Sequence, residues 1–396
     1  MELLKIIFWI LIFTVVYTYI GYGLVLYMLI KIKRWLNKNV QKDLKIDYQP
    51  EVTLFIPAYN EKNYVDQKMK NTLELNYPKD KLKIYWVTDG SDDGTDLILK
   101  KYDNVELFHK QERNGKINAM NRVMPLVNSP IVVFSDANTL LGKDSIKHIV
   151  DCFADVKVGC VSGEKRIFNR DKDIASGAGE GLYWKYESTL KKWDAELHSV
   201  VGAAGELFAI RTELYNEVEQ DTLLDDFVIS LRVAQKGFTI QYNPEAFAIE
   251  TASANVGEEL KRKIRISAGG IQSVVRLSSL LNIFKYKTLS FQYVSHRVLR
   301  WTLTPLCLIL LIPIMSILAY SEGIMNFGFY AVLFWIQLLF YAFALLGWFL
   351  ENKQTNLKIL FVPYYFFIMN LSVVLGFFRY INNSQSVNWE RAKRAL

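Results

Sequence analysis

Three short acidic segments hold the residues best suited to chemistry. Asp136-Ala-Asn138 follows the apolar run IVVFS. Residues i and i+2 of an extended segment share a face, so a carboxylate and an amide stand together, two hard oxygens able to share a divalent cation bound to a diphosphate. The same triplet after a strand also suits a turn or an N-cap. Asp89 leads the carboxylate-rich DGSDDGT, whose Gly90 and Gly94 are equally the chemistry of a plain turn. LLDDF puts Asp225 and Asp226 where Phe227, Ile229, Leu231, Val233 and Ala234 begin a helical face that stops at Gly237. The helix dipole favours a charged carboxylate there, which can accept a proton; a simple N-cap fits the same position.

Such residues need a frame. Between residues 50 and 165, Val/Ile-rich runs alternate with helical segments and turns, the βαβ rhythm of a parallel sheet. Strands are expected at Val52–Pro57, Lys83–Asp89, Val105–Phe108 and Ile131–Asp136, with helices at Asn63–Leu75, after DGSDDGT, and at Lys116–Leu126. Ligands of doubly wound sheets sit beyond the carboxyl ends of the strands, where Asn60, Glu61, Asp89, Ser91, Asp92, Asp136 and Asn138 collect. No Walker A motif, G-x-G-x-x-G or G-x-S-x-G occurs, which removes the usual anchors for ATP, dinucleotides and acyl hydrolysis.

Four other stretches of the chain are apolar. Ile6–Ile30, Trp301–Tyr320, Gly323–Leu350 and Ile359–Phe378 carry no charge, each at or beyond the roughly 20 residues that cross a bilayer as a helix. This pattern describes an integral membrane protein and excludes a soluble cytoplasmic protein, a disordered chain and a secreted disulfide scaffold. Cys152, Cys160 and Cys307 form no C-x-x-C pair, and no H-E-x-x-H occurs. Lys31, Lys33, Arg34, Lys38 and Lys42 follow the first stretch, so the positive-inside rule puts the polar domain in the cytoplasm, with the plasma membrane as its expected location. The apolar stretches lack the intramembrane charges that mark a transport path. From Leu260 to Arg300 there are nine Lys/Arg and no acid, which suggests an amphipathic segment lying on anionic membrane lipids. Four spans would put the basic tail outside, against its charge; Trp301–Tyr320 is therefore expected to be re-entrant or interfacial and the tail cytoplasmic.

IPAYNE (56–61), TDGSDDGT (88–95), GKINAMN (115–121), FSDANT (134–139), VGAAGELFAIR (201–211) and LLDDF (223–227) occur in the order and spacing of the membrane-bound family 2 glycosyltransferases, which the chain resembles from about residue 50 to 270. The flanking apolar helices extend the likeness to the synthases of cellulose, hyaluronan and poly-N-acetylglucosamine. The resemblance implies an α/β fold of GT-A type, a doubly wound nucleotide-sugar-binding domain flanked by transmembrane helices. It implies a nucleotide-sugar donor, UDP-linked by expectation, contacted by Ala58, Asn60, Glu61 and Asp89, with Asp89 facing the base and Lys116 and Asp136 at the phosphates. Lys116 also reads as a solvated residue at a helix start. Asp136 and Asn138 match the family's D-x-D, which implies Mg²⁺ or Mn²⁺. LLDDF implies Asp226 as general base of an inverting transfer, with Asp225 beside it. Arg265 matches the arginine of Q-x-x-R-W, but Ile266 replaces the tryptophan on which an acceptor sugar rests.

The implied layout is an anchor (1–30), a cytoplasmic glycosyltransferase domain (31–260), a basic interfacial segment (261–300), C-terminal membrane segments (301–381) and a basic tail (382–396). The expected acceptor is lipid-linked or a glycan, with no nucleic-acid partner. Without the tryptophan, addition of one or a few sugars to a lipid-linked acceptor is favoured over processive polysaccharide synthesis. A silent nucleotide-sugar-binding subunit is the remaining alternative.

Overall fold

The computed structural model describes residues 1–36, 48–168, 175–251, 256–352, 358–382 and 384. Lys38, Lys42 and the tail residues Arg391, Lys393 and Arg394 lie outside the described residues.

Strand β1 (Val52–Ala58) is buried along its whole length. Its alternate side chains feed two cores: Val52, Leu54 and Ile56 meet Val65, Met69 and Ile149 on one face, while Phe55 meets Ile117, Met120 and Phe134 on the other. A strand covered on both faces reads as a continuous apolar run, as this one does. Around it are β2 (Leu82–Asp89), β3 (Glu106–Lys110), β4 (Ile131–Ser135), β5 (Leu140–Leu141), β6 (Val158–Phe168), β7 (Leu207–Arg211) and β8 (Thr239–Thr251). They form one sheet in the order β3-β2-β1-β4-β7-β6-β8-β5. The first four pair in parallel. β7 then enters antiparallel to β4, with Phe134 opposite Phe208 and its first residue Leu207 opposite Ser135 at the acidic-loop end, and it precedes the helix Asp225–Gln235 in the chain.

Four helices are long and apolar enough to cross a membrane: Glu2–Leu36, Leu303–Glu322, Phe329–Leu350 and Leu360–Ile381. The first includes a π turn at Tyr17–Gly21. Its early residues Phe8 and Leu11 pack with Cys307, Leu311, Met315 and Leu318, and the Thr18 and Thr304 hydroxyls meet at 2.9 Å. In the stretch expected to be re-entrant or interfacial, Leu303–Glu322 is one continuous helix packed along the first, with Pro313 inside it.

The basic segment turns part of its apolar side inward, contributing Val274, Leu277, Leu280, Leu289 and Tyr293 to the core that holds Phe227 and Val228. Val275, Leu281, Ile283 and Phe284 are its exposed apolar side chains. Its helix Val256–Arg276 packs along the last helix, Lys358–Ile381. At Gly376 the two backbones come so close that a Cβ there would sit 2.8 Å from the Ala268 amide nitrogen.

Candidate active site

Lys116 links the acidic segments. It starts the helix Lys116–Val123, and its ammonium lies 3.1 Å from Asp136 Oδ1 and 3.2 Å from Asp225 Oδ2. Burial alone would make this amine easier to deprotonate, but the carboxylates of Asp136, Asp225 and Asp226 outweigh burial and raise its pKa. The solvated reading of Lys116 is thus corrected. Asp136 is shifted up by burial, against the pull of Lys116.

Asp225 and Asp226 occupy the first turn of the helix Asp225–Gln235, whose N-cap is Leu224; neither carboxylate is the cap. The preceding VGAAGE loop turns at Gly202 with φ of 86°, and a Cβ there would strike the Phe227 ring at 2.2 Å, so only glycine fits. The dipole argument predicted a readily ionised Asp226. Burial and the like charge of Asp225 prevail instead and push its pKa up to about 7, with Lys116 opposing. A carboxylate poised near neutrality is a better proton acceptor for a hydroxyl than one at 4.

A cavity of about 870 Å³ gathers Glu61, Lys116, Asp136, Asn138, Asp225, Asp226 and Arg265 in its wall. Ala58, Asn60 and Asp89 lie outside that wall. Ala58 ends β1, buried and paired with Thr88. Asn60, at φ 54°, exchanges hydrogen bonds with Asp92, donating at 2.7 Å and accepting at 3.0 Å, and so ties the β1 loop to the β2 loop. Asp89 Oδ2 accepts from the Asn114 and Gly115 amides at 2.9 and 2.6 Å and sets the entry to the Lys116 helix. Its Oδ1 is buried with no hydrogen-bond partner among the described residues. Burial raises its pKa against those two amides. Beside these loops, the Arg113 guanidinium stacks 3.8 Å from the centroid of the Tyr59 ring.

Among the described residues no three His, Cys, Asp or Glu side chains converge as metal ligands. Asn138 Oδ1 is buried without a hydrogen-bond partner there, two residues from Asp136 and in the same cavity wall. That pair fits a hard cation that takes its other ligands from water and substrate phosphates.

Sequence reasoning missed several residues. Lys68 is fully buried behind the metal-type loop, donating to Ser135 Oγ at 2.7 Å and to the Thr139 carbonyl at 2.8 Å; burial holds its pKa down to about 7. The signal was a lysine on the apolar stripe Val65, Met69, Thr72. Glu206, Glu250 and Lys165 form a buried ion cluster on the cavity wall. Burial would raise the Glu206 pKa, but Lys165 overrides it and holds it at about 2. Trp301 lines the cavity together with Ile266. Its ring packs over Gly270, where a Cβ would clash at 2.5 Å, and edge-on to Phe227 at 5.1 Å between centroids. Trp301 thus brings an aromatic ring from another helix to the same cavity wall as Ile266.

This arrangement of sheet, acidic loops and cavity is that of a GT-A glycosyltransferase. Residues 50–269 match the family described as glycosyltransferase like family 2, and the chain belongs to that family. It is similar to a poly-beta-1,6-N-acetyl-D-glucosamine synthase of Staphylococcus aureus, 26% identical over 273 residues, 67% of this chain and 65% of that protein. A beta-monoglucosyldiacylglycerol synthase of Nostoc sp. is 29% identical over 219 residues, 50% of this chain and 43% of that one. The matched region thus spans about two thirds or less of these curated relatives. In fold the chain is similar to a mannosyltransferase from Pyrobaculum calidifontis solved with GDP-Man and Mn²⁺, with TM-score 0.70, 21% identity, and coverage of 96% of this chain and 100% of that one.

Proposed function

We propose that the protein is a membrane-embedded inverting glycosyltransferase that moves a sugar from a nucleotide-sugar donor, UDP-linked by preference, to a lipid-linked acceptor. The observation that carries this reading is the junction of Lys116 with Asp136 and Asp225 in the same cavity as Asp226. The free Oδ1 of Asp89 supports a role toward the nucleoside base. Lys116 and Arg265 supply positive charge toward the diphosphate. Mg²⁺ or Mn²⁺ held by Asp136 and Asn138 would neutralise charge on the departing diphosphate. Asp226 takes the proton of the acceptor hydroxyl, whose oxygen displaces the nucleoside diphosphate from the anomeric carbon.

The orientation proposed is cytoplasmic, at the plasma membrane. The basic end of the first helix docks on the polar domain: Lys33 donates to the carbonyls of Glu196 and Leu197, at 2.6 and 2.8 Å. Tyr19 of the first helix and Phe366, Met369 and Val373 of the last add an apolar wall to the cavity, which supports a lipid-borne acceptor. One observation favours a second reading: Trp301 restores an aromatic surface, on which a growing glycan can rest as in a polysaccharide synthase. The test is release of nucleoside diphosphate by the purified protein, with Mg²⁺ or Mn²⁺, from a panel of UDP-, GDP- and TDP-sugars. Release from one donor is expected; no release from any of them contradicts the reading.

A further inference from the structure

Lys191 stands out in the cavity wall because nothing answers its charge directly. Its residue is only 6% exposed, yet among the described residues the ammonium makes no hydrogen bond or ion pair; the Tyr242 ring lies 5.9 Å away. The acids within electrostatic reach, Glu187, Glu164 and Glu206, are engaged elsewhere. Glu164 accepts from Ser188 and Tyr242, and Glu206 pairs with Lys165. Glu187 is shared by Arg297 at 2.7 Å, Arg300 at 2.9 Å and His296 at 3.0 Å. His296 also meets Asp194. Three cations, Lys191, Arg297 and Arg300, thus stand near the carboxylates of Glu187, Asp194 and Glu164, and Lys191 is the cation of this group with no direct ion pair among the described residues. Burial without a direct partner also shifts the Lys191 ammonium toward its neutral form. An unpaired buried charge lowers stability, so its presence on a cavity wall calls for a ligand.

The position is informative. Arg297 lies 5.9 Å from the Trp301 ring, which packs on Phe227, the neighbour of Asp226. The cations are therefore joined to the proposed base through Trp301, whereas Lys116 and the metal-type pair adjoin it through Asp225. The helix of Lys191 also touches the first apolar helix, where Tyr186 donates to the Tyr19 carbonyl at 2.7 Å. The cationic patch thus sits where the polar cavity meets the apolar helices.

The geometry points to an acceptor-phosphate subsite: Lys191, Arg297 and Arg300 bind the phosphate of a phosphorylated lipid whose chain follows the apolar wall and whose transferable hydroxyl reaches Asp226. This rests on the glycosyl-transfer reading of the cavity and narrows its acceptor to an anionic lipid. The donor diphosphate is the other source of the same chemistry, and the test separates the two.

The full chain in detergent is titrated with a long-chain polyisoprenyl phosphate, with the uncharged polyisoprenol of equal length, with phosphatidylglycerol, and with the nucleoside diphosphate selected by the donor panel. The wild type binds the polyisoprenyl phosphate at least tenfold more tightly than the alcohol or phosphatidylglycerol. Lys191→Met and Arg297→Gln each weaken it roughly tenfold to a hundredfold and leave nucleotide binding unchanged. Lys191→Met also melts no lower than wild type, because it keeps the aliphatic stem and removes an unpaired buried charge. Equal affinity for phosphate and alcohol, equal affinity for phosphatidylglycerol, or a matching loss of nucleotide binding overturns the assignment. A wild type that binds no nucleoside diphosphate overturns instead the glycosyl-transfer reading beneath it.

Discussion

The pH profile of transfer tests the base assignment. Asp226 accepts a proton only when ionised, and burial with the Asp225 charge puts its pKa at about 7. The raised value means the active form is lost as pH falls through neutrality. At about one unit below that pKa roughly a tenth of the enzyme holds the ionised base, and at two units about a hundredth. A plot of log kcat/KM against pH, which reports the free enzyme, should therefore rise with unit slope from pH 5 and level off above about pH 7. Asp225→Asn removes the neighbouring like charge while Lys116 keeps Asp136. The acid limb should then move down by about one unit, so that the variant's rate relative to its own plateau at pH 5.5 exceeds that of wild type. The assay is nucleoside diphosphate release with acceptor present, at saturating metal. Two results refute the reasoning: a flat profile between pH 5 and 7, or an Asp225→Asn variant inactive at every pH, which makes Asp225 the base.

The cation site predicts that Asp136→Ala abolishes metal-dependent donor binding and Asn138→Asp keeps or strengthens it, since a second carboxylate replaces the amide; titrating donor with and without chelator checks this, and activity indifferent to chelator contradicts it. Trp301→Ala should raise the acceptor KM about two- to tenfold while the donor KM holds, and Trp301→Phe should recover most of the loss; steady-state kinetics in both substrates decide. Gly376→Leu, forced against the Ala268 backbone, should destabilise the protein by about 1–3 kcal/mol and depress transfer, because the last helix lines the cavity; an unchanged melting curve in detergent would show that the crossing is loose.

The parallel half of the sheet was legible because β1, β2 and β4 are buried on both faces and print their burial as apolar runs. The mixed half, in which β7 runs antiparallel to β4 and β6 while β6 and β8 pair in parallel, was not assigned. β8 alternates buried and half-exposed residues with a break at Pro244 and Glu245, and β7 lies inside VGAAGELFAIR, which stood out as a motif and not as a strand. At the site, the acidic loops stood out by composition, and the structure brings Glu61, Lys116, Asp136, Asn138, Asp225, Asp226 and Arg265 to one cavity. Contacts that bridge distant segments were invisible. Trp301 reads as the start of an apolar stretch until Gly270 and Phe227 are placed beside it. Lys191 reads as one more basic residue until its burial is known. The Asp226 misjudgement had a similar origin, since the dipole is a local property visible in sequence, whereas the desolvation that outweighs it comes from the tertiary fold.

The central claim is that Asp226 acts on the acceptor's proton and not on the nucleotide. The most direct measurement compares Asp226→Asn with wild type for donor affinity and for transfer, using the full chain with its selected donor and acceptor. The account predicts donor affinity within about twofold of wild type and transfer slowed by about 10²- to 10⁴-fold. Near-normal transfer by Asp226→Asn, or loss of donor binding in step with loss of transfer, would contradict it.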